Sequence, residues 1–193
     1  MSRKDKSKWW DSMCVEFYNM HDKKVWTLTK KKDIPAGRKI IGNRWVYFLK
    51  EDGTYRSRTV GQGFSQIPGK DFHENHAPVV HDTTLRFCLV QMLIYRLSSG
   101  QFDVVTAFLY GLLDEIIYMA FPDGYELFLQ EKFGLTYSST EYCLLLEKAL
   151  YGLVQAARQW WKRMTDIMKK LGFLPSPADP CLFVKPAVKN QPP

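Results

Sequence analysis

The feature that most limits how this chain can fold is the segment 40–64. Ile40 to Lys50 is dense in β-branched and aromatic residues, Glu51-Asp52-Gly53 supplies a turn, and Thr54 to Phe64 returns. Two such runs around a short polar turn predict a β-hairpin. On the returning run Arg56 and Arg58 alternate with Tyr55, Ser57 and Thr59. A strand has a side-chain period of two, so both guanidinium groups share one face. Two forked cations side by side can grip a phosphate chain bidentately.

Helix and strand signals are interspersed around this hairpin. Trp10, Met13, Cys14 and Phe17 recur at three- and four-residue steps and predict a lead-in helix over about 9–20. Val25 to Thr29 predicts a strand, Pro35-Ala36-Gly37 a turn, and 65–80 a loop. Asp82 is the expected N-cap of a helix over 83–97, ended by Ser98-Ser99-Gly100. Further strands are expected over 101–106, 116–121, 143–146 and 181–185, with a long helix over 154–171. No regular βαβ alternation appears, so the expected class is α+β.

Composition narrows the function classes. A chain of 193 residues that is 46% hydrophobic is long and apolar enough for one packed domain. The longest apolar candidate, Phe87 to Tyr95, is interrupted by Gln91 and is far short of a membrane span. The basic start leads into Trp9, Trp10 and Asp11 rather than an apolar signal region. The cysteines lie 38 to 74 residues apart with no C-x-x-C pair, which predicts reduced thiols. An intracellular chain, in cytoplasm or nucleus and without a membrane partner, is expected. Residues 1–70 hold 16 Lys/Arg against 7 Asp/Glu, a charge of +9, while 71–193 carry −2. That asymmetry suggests a polyanion on the front half and a carboxylate site on the back half.

The segment 101–111 holds one acid, Asp103, among apolar residues. A carboxylate in such a setting is paired, hydrogen-bonded or bound to metal. His73-Glu74-Asn75-His76 lacks the spacing of a zinc helix. Arg158, Trp160, Trp161, Lys162 and Arg163 form a basic-aromatic cluster of the kind that stacks on nucleic acid.

A series of short motifs runs through the whole chain. Residues 44–50 (RWVYFLK), Gly63-Phe64-Ser65-Gln66, Ala77-Pro78-Val79 and the Asp103 segment come first. Ile117-Tyr118-Met119, Leu150-Tyr151-Gly152-Leu153, Gln155-Ala156, Arg158, Trp160, Gly172-Phe173 and 179–183 follow. Over about 10–185 this series resembles the reverse transcriptase domain of copia-type LTR retrotransposons. The resemblance implies a right-hand polymerase fold over 1–185, with fingers at about 24–100 and the front of the palm at about 101–185. A disordered tail over 186–193 is expected. It implies RNA template, DNA primer and deoxynucleoside triphosphates as partners, and Mg²⁺ as cofactor. Asp103 matches the first of the family's catalytic aspartates, and the backbone carbonyl of Val104 would add a metal ligand. Phe108 matches the ring that packs on the sugar and selects deoxynucleotides. Gln155 matches a glutamine beside the nucleotide, and Arg56 and Arg58 match the fingers strand that meets the triphosphate. Arg158 and Lys162 would make weaker nucleic-acid contacts.

The sequence also departs from the family. Gln62 and Val154 stand where basic residues are usual, Ala157 where proline is usual, and Val105 where a polar residue is usual. No Asp-Asp pair occurs in the 193 residues, so the family's Tyr-x-Asp-Asp turn is not matched. The thumb and RNase H parts are not matched either. One carboxylate does not hold two Mg²⁺ ions about 3.5–4 Å apart. The expectation is therefore an incomplete domain whose polymerase activity is lost. Without the matching hairpin, the strand over 181–185 would be an unpaired edge prone to aggregation. Two alternatives follow from the same features: a non-catalytic nucleic-acid-binding remnant, or the functionless product of a decayed element.

Overall fold

A computed structural model of the protein describes residues 5–186. The expected tail over 186–193 lies outside the described residues apart from Pro186. The lead-in helix, α1 (Lys6–Asp22), buries Met13, Cys14, Phe17 and Met20, the face set by the three- and four-residue steps. Behind it stands a four-stranded sheet of β1 (Trp26–Lys30), β2 (Ile40–Ile41), β5 (Leu112–Met119) and β6 (Tyr142–Lys148). Its order is β1-β6-β5-β2. β6 runs antiparallel to both β1 and β5, and β2 runs parallel to β5 with Ile41 opposite Met119.

The hairpin forms as β3 (Asn43–Leu49) and β4 (Tyr55–Gly61), with Asn43 opposite Gly61 and Leu49 opposite Tyr55. The first arm is divided at Gly42, because Ile40 and Ile41 pair with β5 in the larger sheet. On β4, Ser57, Thr59 and Gly61 are buried while Arg56 and Arg58 stay half-buried on the opposite face. Helix α1 lies along β4. The Trp9 and Tyr55 rings meet edge-on at 4.6 Å, the Ser12 and Ser57 hydroxyls hydrogen-bond, and Glu16 lies at Thr59.

Helix α3 (Tyr125–Phe133) falls in a stretch where the sequence reading expected no element. Tyr125, Phe128 and Leu129 carry the helical three-four spacing and are all buried. Phe17 packs its ring at 5.1 Å from Tyr125 and 4.9 Å from Phe128, which joins α1 to α3. Helix α4 (Ala156–Lys170) matches its expected span within two residues at each end, as terminal fraying allows.

Three expectations are corrected. The segment 101–106 is not a strand but irregular backbone, with Phe102 92% exposed. A strand needs a neighbour for its N–H and C=O groups, and among the described residues none pairs with this segment. The strand near 181–185 is β8 (Phe183–Val184), and it is paired, antiparallel to β7 (Leu174–Pro175). Asp82 does not cap α2 (Asp82–Tyr95), whose N-cap is His81 without a side-chain cap bond. Asp179 caps it from a distance instead. Its buried carboxylate accepts hydrogen bonds from the His81 N–H at 2.9 Å and the Cys181 N–H at 2.8 Å.

Those hydrogen bonds, with one from the Thr84 side chain, hold the Asp179 carboxyl at about 2, below its ordinary 3.8. A depressed folded value means that Asp179 adds stability above 3.8, and that this is lost as pH falls toward 2. Unfolding midpoints measured across this acid window should fall for the natural chain and fall less for Asp179→Asn. Equal slopes would show that Asp179 does not anchor α2.

Two loops cross between β4 and α4 at a pair of glycines. Gly63 has no left-handed backbone angle, but a Cβ there would press on the Gly152 carbonyl oxygen. Gly152 has φ +85°, and a Cβ there would strike the Gly61 carbonyl oxygen. Backbone cannot rotate aside as a side chain can, so Gly63→Ala should destabilise the fold by about 2–3 kcal/mol. Gly53→Ala, in an open turn at φ +79° with nothing near its Cβ, should lose only about 1–2 kcal/mol, the left-handed penalty alone. Denaturant midpoints of the two variants give the comparison, and equal losses would remove the crossing from the account.

Candidate functional site

An open groove of about 500 Å³ lies between β4 and the segment 103–108. Arg56 and Arg58 form one wall because period-two geometry aims both at the same side of β4. Lys50, just past the end of β3, adds a third cation. The other wall is Asp103 to Phe108. There the chain turns at Thr106, φ +56°, into a 3-10 turn over Ala107–Tyr110 anchored by fully buried Leu109. The Leu109 N–H bonds the Thr106 carbonyl at 2.9 Å, and the Ala149 N–H bonds the Gly111 carbonyl at 2.7 Å. These bonds fix the wall to the start of the following strand and to the end of β6.

Tyr151 joins the two walls. Its carbonyl accepts from the Gly61 N–H at 2.8 Å. Its ring meets Phe108 edge-on at 5.5 Å, and the Arg58 guanidinium stands 4.9 Å over the same ring. Cation–π contact of this kind orients the guanidinium as well as holding it. Burial pushes the Tyr151 hydroxyl above its ordinary value, partly offset by Arg58. Sequence reasoning assigned no role to Lys50 or Tyr151. The only signals were the end of the hairpin arm and the Tyr-Gly pair in the 150–153 motif.

Of the expected site residues, Arg56, Arg58, Asp103, Val104 and Phe108 all line this groove. The other three lie elsewhere. Gln155 is fully buried. Its amide nitrogen donates to the Asp71 carbonyl at 2.9 Å and to Glu115 Oε2 at 3.2 Å, and its oxygen accepts from Gln66 Nε2 at 3.0 Å. Arg158 bonds the His76 carbonyl at 3.1 Å and pairs with Glu74. Lys162 pairs with Asp114 at 2.5 Å, and Gln159 bonds the same carboxylate at 3.0 Å. Those two bonds hold the Asp114 carboxyl below its ordinary value.

Three cations against one carboxylate give the groove a positive field suited to a polyphosphate. Among the described residues, no three His, Cys, Asp or Glu side chains gather where a metal ion would fit. Nor is any described helix long and apolar enough to cross a membrane.

Comparison with known proteins gives the class to which this chain belongs. Residues 23–191 match the family described as reverse transcriptase (RNA-dependent DNA polymerase). The retrovirus-related Pol polyprotein from transposon TNT 1-94 of Nicotiana tabacum is 37% identical, over 83% of this chain and 12% of its own length. The Pol polyprotein from transposon RE1 of Arabidopsis thaliana is 32% identical, over 92% of this chain and 12% of its own length. The transposon Ty1-BL Gag-Pol polyprotein of Saccharomyces cerevisiae is 26% identical over 86% of this chain. No solved structure matches. The chain belongs to the reverse transcriptase family, in its copia-type retrotransposon branch. It spans about 12% of the length of the TNT 1-94 and RE1 polyproteins.

Proposed function

We propose that the groove receives the triphosphate and sugar of a deoxynucleoside triphosphate, within a domain whose reaction is RNA-templated DNA synthesis. The observation that carries this reading is the convergence of Arg56, Arg58, Asp103 and Phe108 on one groove from two distant segments. Arg56, Arg58 and Lys50 would hold phosphate oxygens through charge-assisted hydrogen bonds. The Phe108 ring, braced by Tyr151, would lie against the sugar and leave no room for a 2′-hydroxyl. In this reading β1 to β4 belong to the fingers, and the segment 103–108 with β5 and β6 to the front of the palm. Gln155 supports the site from behind, by fixing the loop that holds Asp71 to the start of α4.

Mg²⁺ is the family's cofactor, and Asp103 with the Val104 carbonyl are the donors this groove offers it. One carboxylate and one carbonyl do not make a site for two ions about 3.5–4 Å apart. The described residues therefore do not fit the metal pair. The 193-residue chain by itself is expected to bind nucleotide without extending a primer.

The test pairs two assays on that chain. Binding of a fluorescent deoxynucleoside triphosphate should be saturable and preferred over the ribonucleotide, and Phe108→Ala should erase the preference. Primer extension on an RNA template should give no product. Extension by the chain alone, or a preference that survives Phe108→Ala, would overturn the reading.

A second reading has one observation in its favour. Lys30, Lys31 and Lys32 line a separate groove of about 430 Å³ at the end of β1, as a sequence-independent nucleic-acid contact would require. Affinity for single-stranded RNA should then fall steeply with salt, and a flat response would dismiss this role.

A further inference from the structure

Glu16 is a charged residue placed where charge is hard to keep. It lies on α1, well before the loop and strand residues that make the groove, and is only 5% exposed. One carboxyl oxygen, Oε1, is buried with no hydrogen-bond partner among the described residues. The reason for its position is the free edge of β4. Gly61 directs its N–H away from β3 to Tyr151. Regular alternation directs the Thr59 N–H the same way, and it acts on the Glu16 carboxyl. Helix α1 covers that edge, with Trp9 at Tyr55 and Ser12 at Ser57 holding the register. Glu16 thus stands directly behind the strand that carries both groove arginines.

We infer that Glu16 is a positioning residue of the phosphate groove and exchanges its proton in step with the ligand. A bound anion and a Glu16 carboxylate draw on the same two guanidinium charges, so each weakens the other. The inference rests on the nucleotide reading above and extends it to a residue outside the groove. Burial pushes the Glu16 carboxyl up from 4.5 to about 7, against the pull of Arg58, Arg56, the Thr59 N–H and Lys23. Tyr151 is a further titratable group that faces it. Near neutrality the carboxyl is therefore divided between its two forms. An anion that neutralises Arg58 and Arg56 removes most of the pull toward the charged form, and the carboxyl takes up a proton. Binding then weakens as pH rises through the Glu16 titration, because a proton must be gained each time.

Calorimetric titration of the full chain, in two buffers of different ionisation enthalpy near neutral pH, counts the protons. Sulfate serves as one probe because it has no proton of its own in this range, and a deoxynucleoside triphosphate as the other. The natural chain should take up a fraction of a proton per sulfate bound, and Glu16→Gln none. Affinity of the natural chain for the triphosphate, relative to Glu16→Gln, should fall roughly fivefold from about pH 6 to about pH 8.5. That is the order expected for two negative charges that share the same guanidinium partners across one strand at the dielectric of a protein surface. If Glu16→Gln does not fold, the buffer dependence of sulfate binding by the natural chain decides alone. Binding without proton uptake overturns the linkage and leaves the groove reading intact. Absence of binding by either probe at every pH overturns both.

Discussion

Gln155→Ala is expected to lower the stability of the fold by roughly 3–5 kcal/mol, the largest single effect anticipated outside the hydrophobic core. The side chain is fully buried and each of its polar atoms is engaged. Its loss leaves one of the two Gln66 Nε2 hydrogens and one lone pair of the Asp71 carbonyl unmatched in the interior, and it opens a cavity. The network continues outward. Gln66 Oε1 accepts from the Val154 N–H at 2.9 Å, Asp71 Oδ2 accepts from the Ile67 N–H at 2.8 Å, and Arg38 approaches Asp71 at 3.7 Å. One amide therefore ties the loop over 66–71 to the start of α4. Urea unfolding measures the effect. An unchanged midpoint together with lost nucleotide binding would show that Gln155 serves the ligand directly and not the scaffold.

Arg58→Ala is expected to weaken triphosphate binding on the order of 10- to 100-fold, the range for losing a charge-assisted phosphate contact. Its effect on stability should be small, about 0.5–1 kcal/mol, because the half-buried guanidinium contacts the Tyr151 ring and Glu16, which it also attracts, can take up a proton in its absence. Arg58→Lys should fall between, since an ammonium keeps the charge and loses the planar fork. Equilibrium titration with a fluorescent triphosphate, beside a melting curve for each variant, separates affinity from folding. If Arg58→Ala binds like the natural chain, the groove is not where the phosphates go.

Much of the local structure was legible from residue pattern. The hairpin followed from period-two alternation, and α1 and α4 followed from three-four spacing. Helix α3 carries the same spacing at Tyr125, Phe128 and Leu129, but it is only nine residues long between Gly124 and Gly134, too short for the period to stand out. The expected strand over 101–106 failed for a different reason. Its residues suit a strand, yet pairing is a property of two segments, and among the described residues none lies beside this one. The same holds for α2. Its helical signal was correct, but no residue of it is buried, and Leu93 remains 80% exposed. Propensity sets the form of a segment, not what covers it.

For the site, the sequence by itself determined the two arginines on one strand face, because period-two spacing fixes side-chain direction there, and the solitary acid at Asp103, while Phe108 was marked by the family resemblance alone. Tertiary structure alone decided that these meet across one groove, that Tyr151 braces both walls, and that Glu16 lies behind the arginine strand. It alone also decided that Gln155, Arg158 and Lys162 are already engaged elsewhere. Such choices depend on which polar groups find partners once distant segments close, and burial makes an unmatched group costly enough to settle each of them.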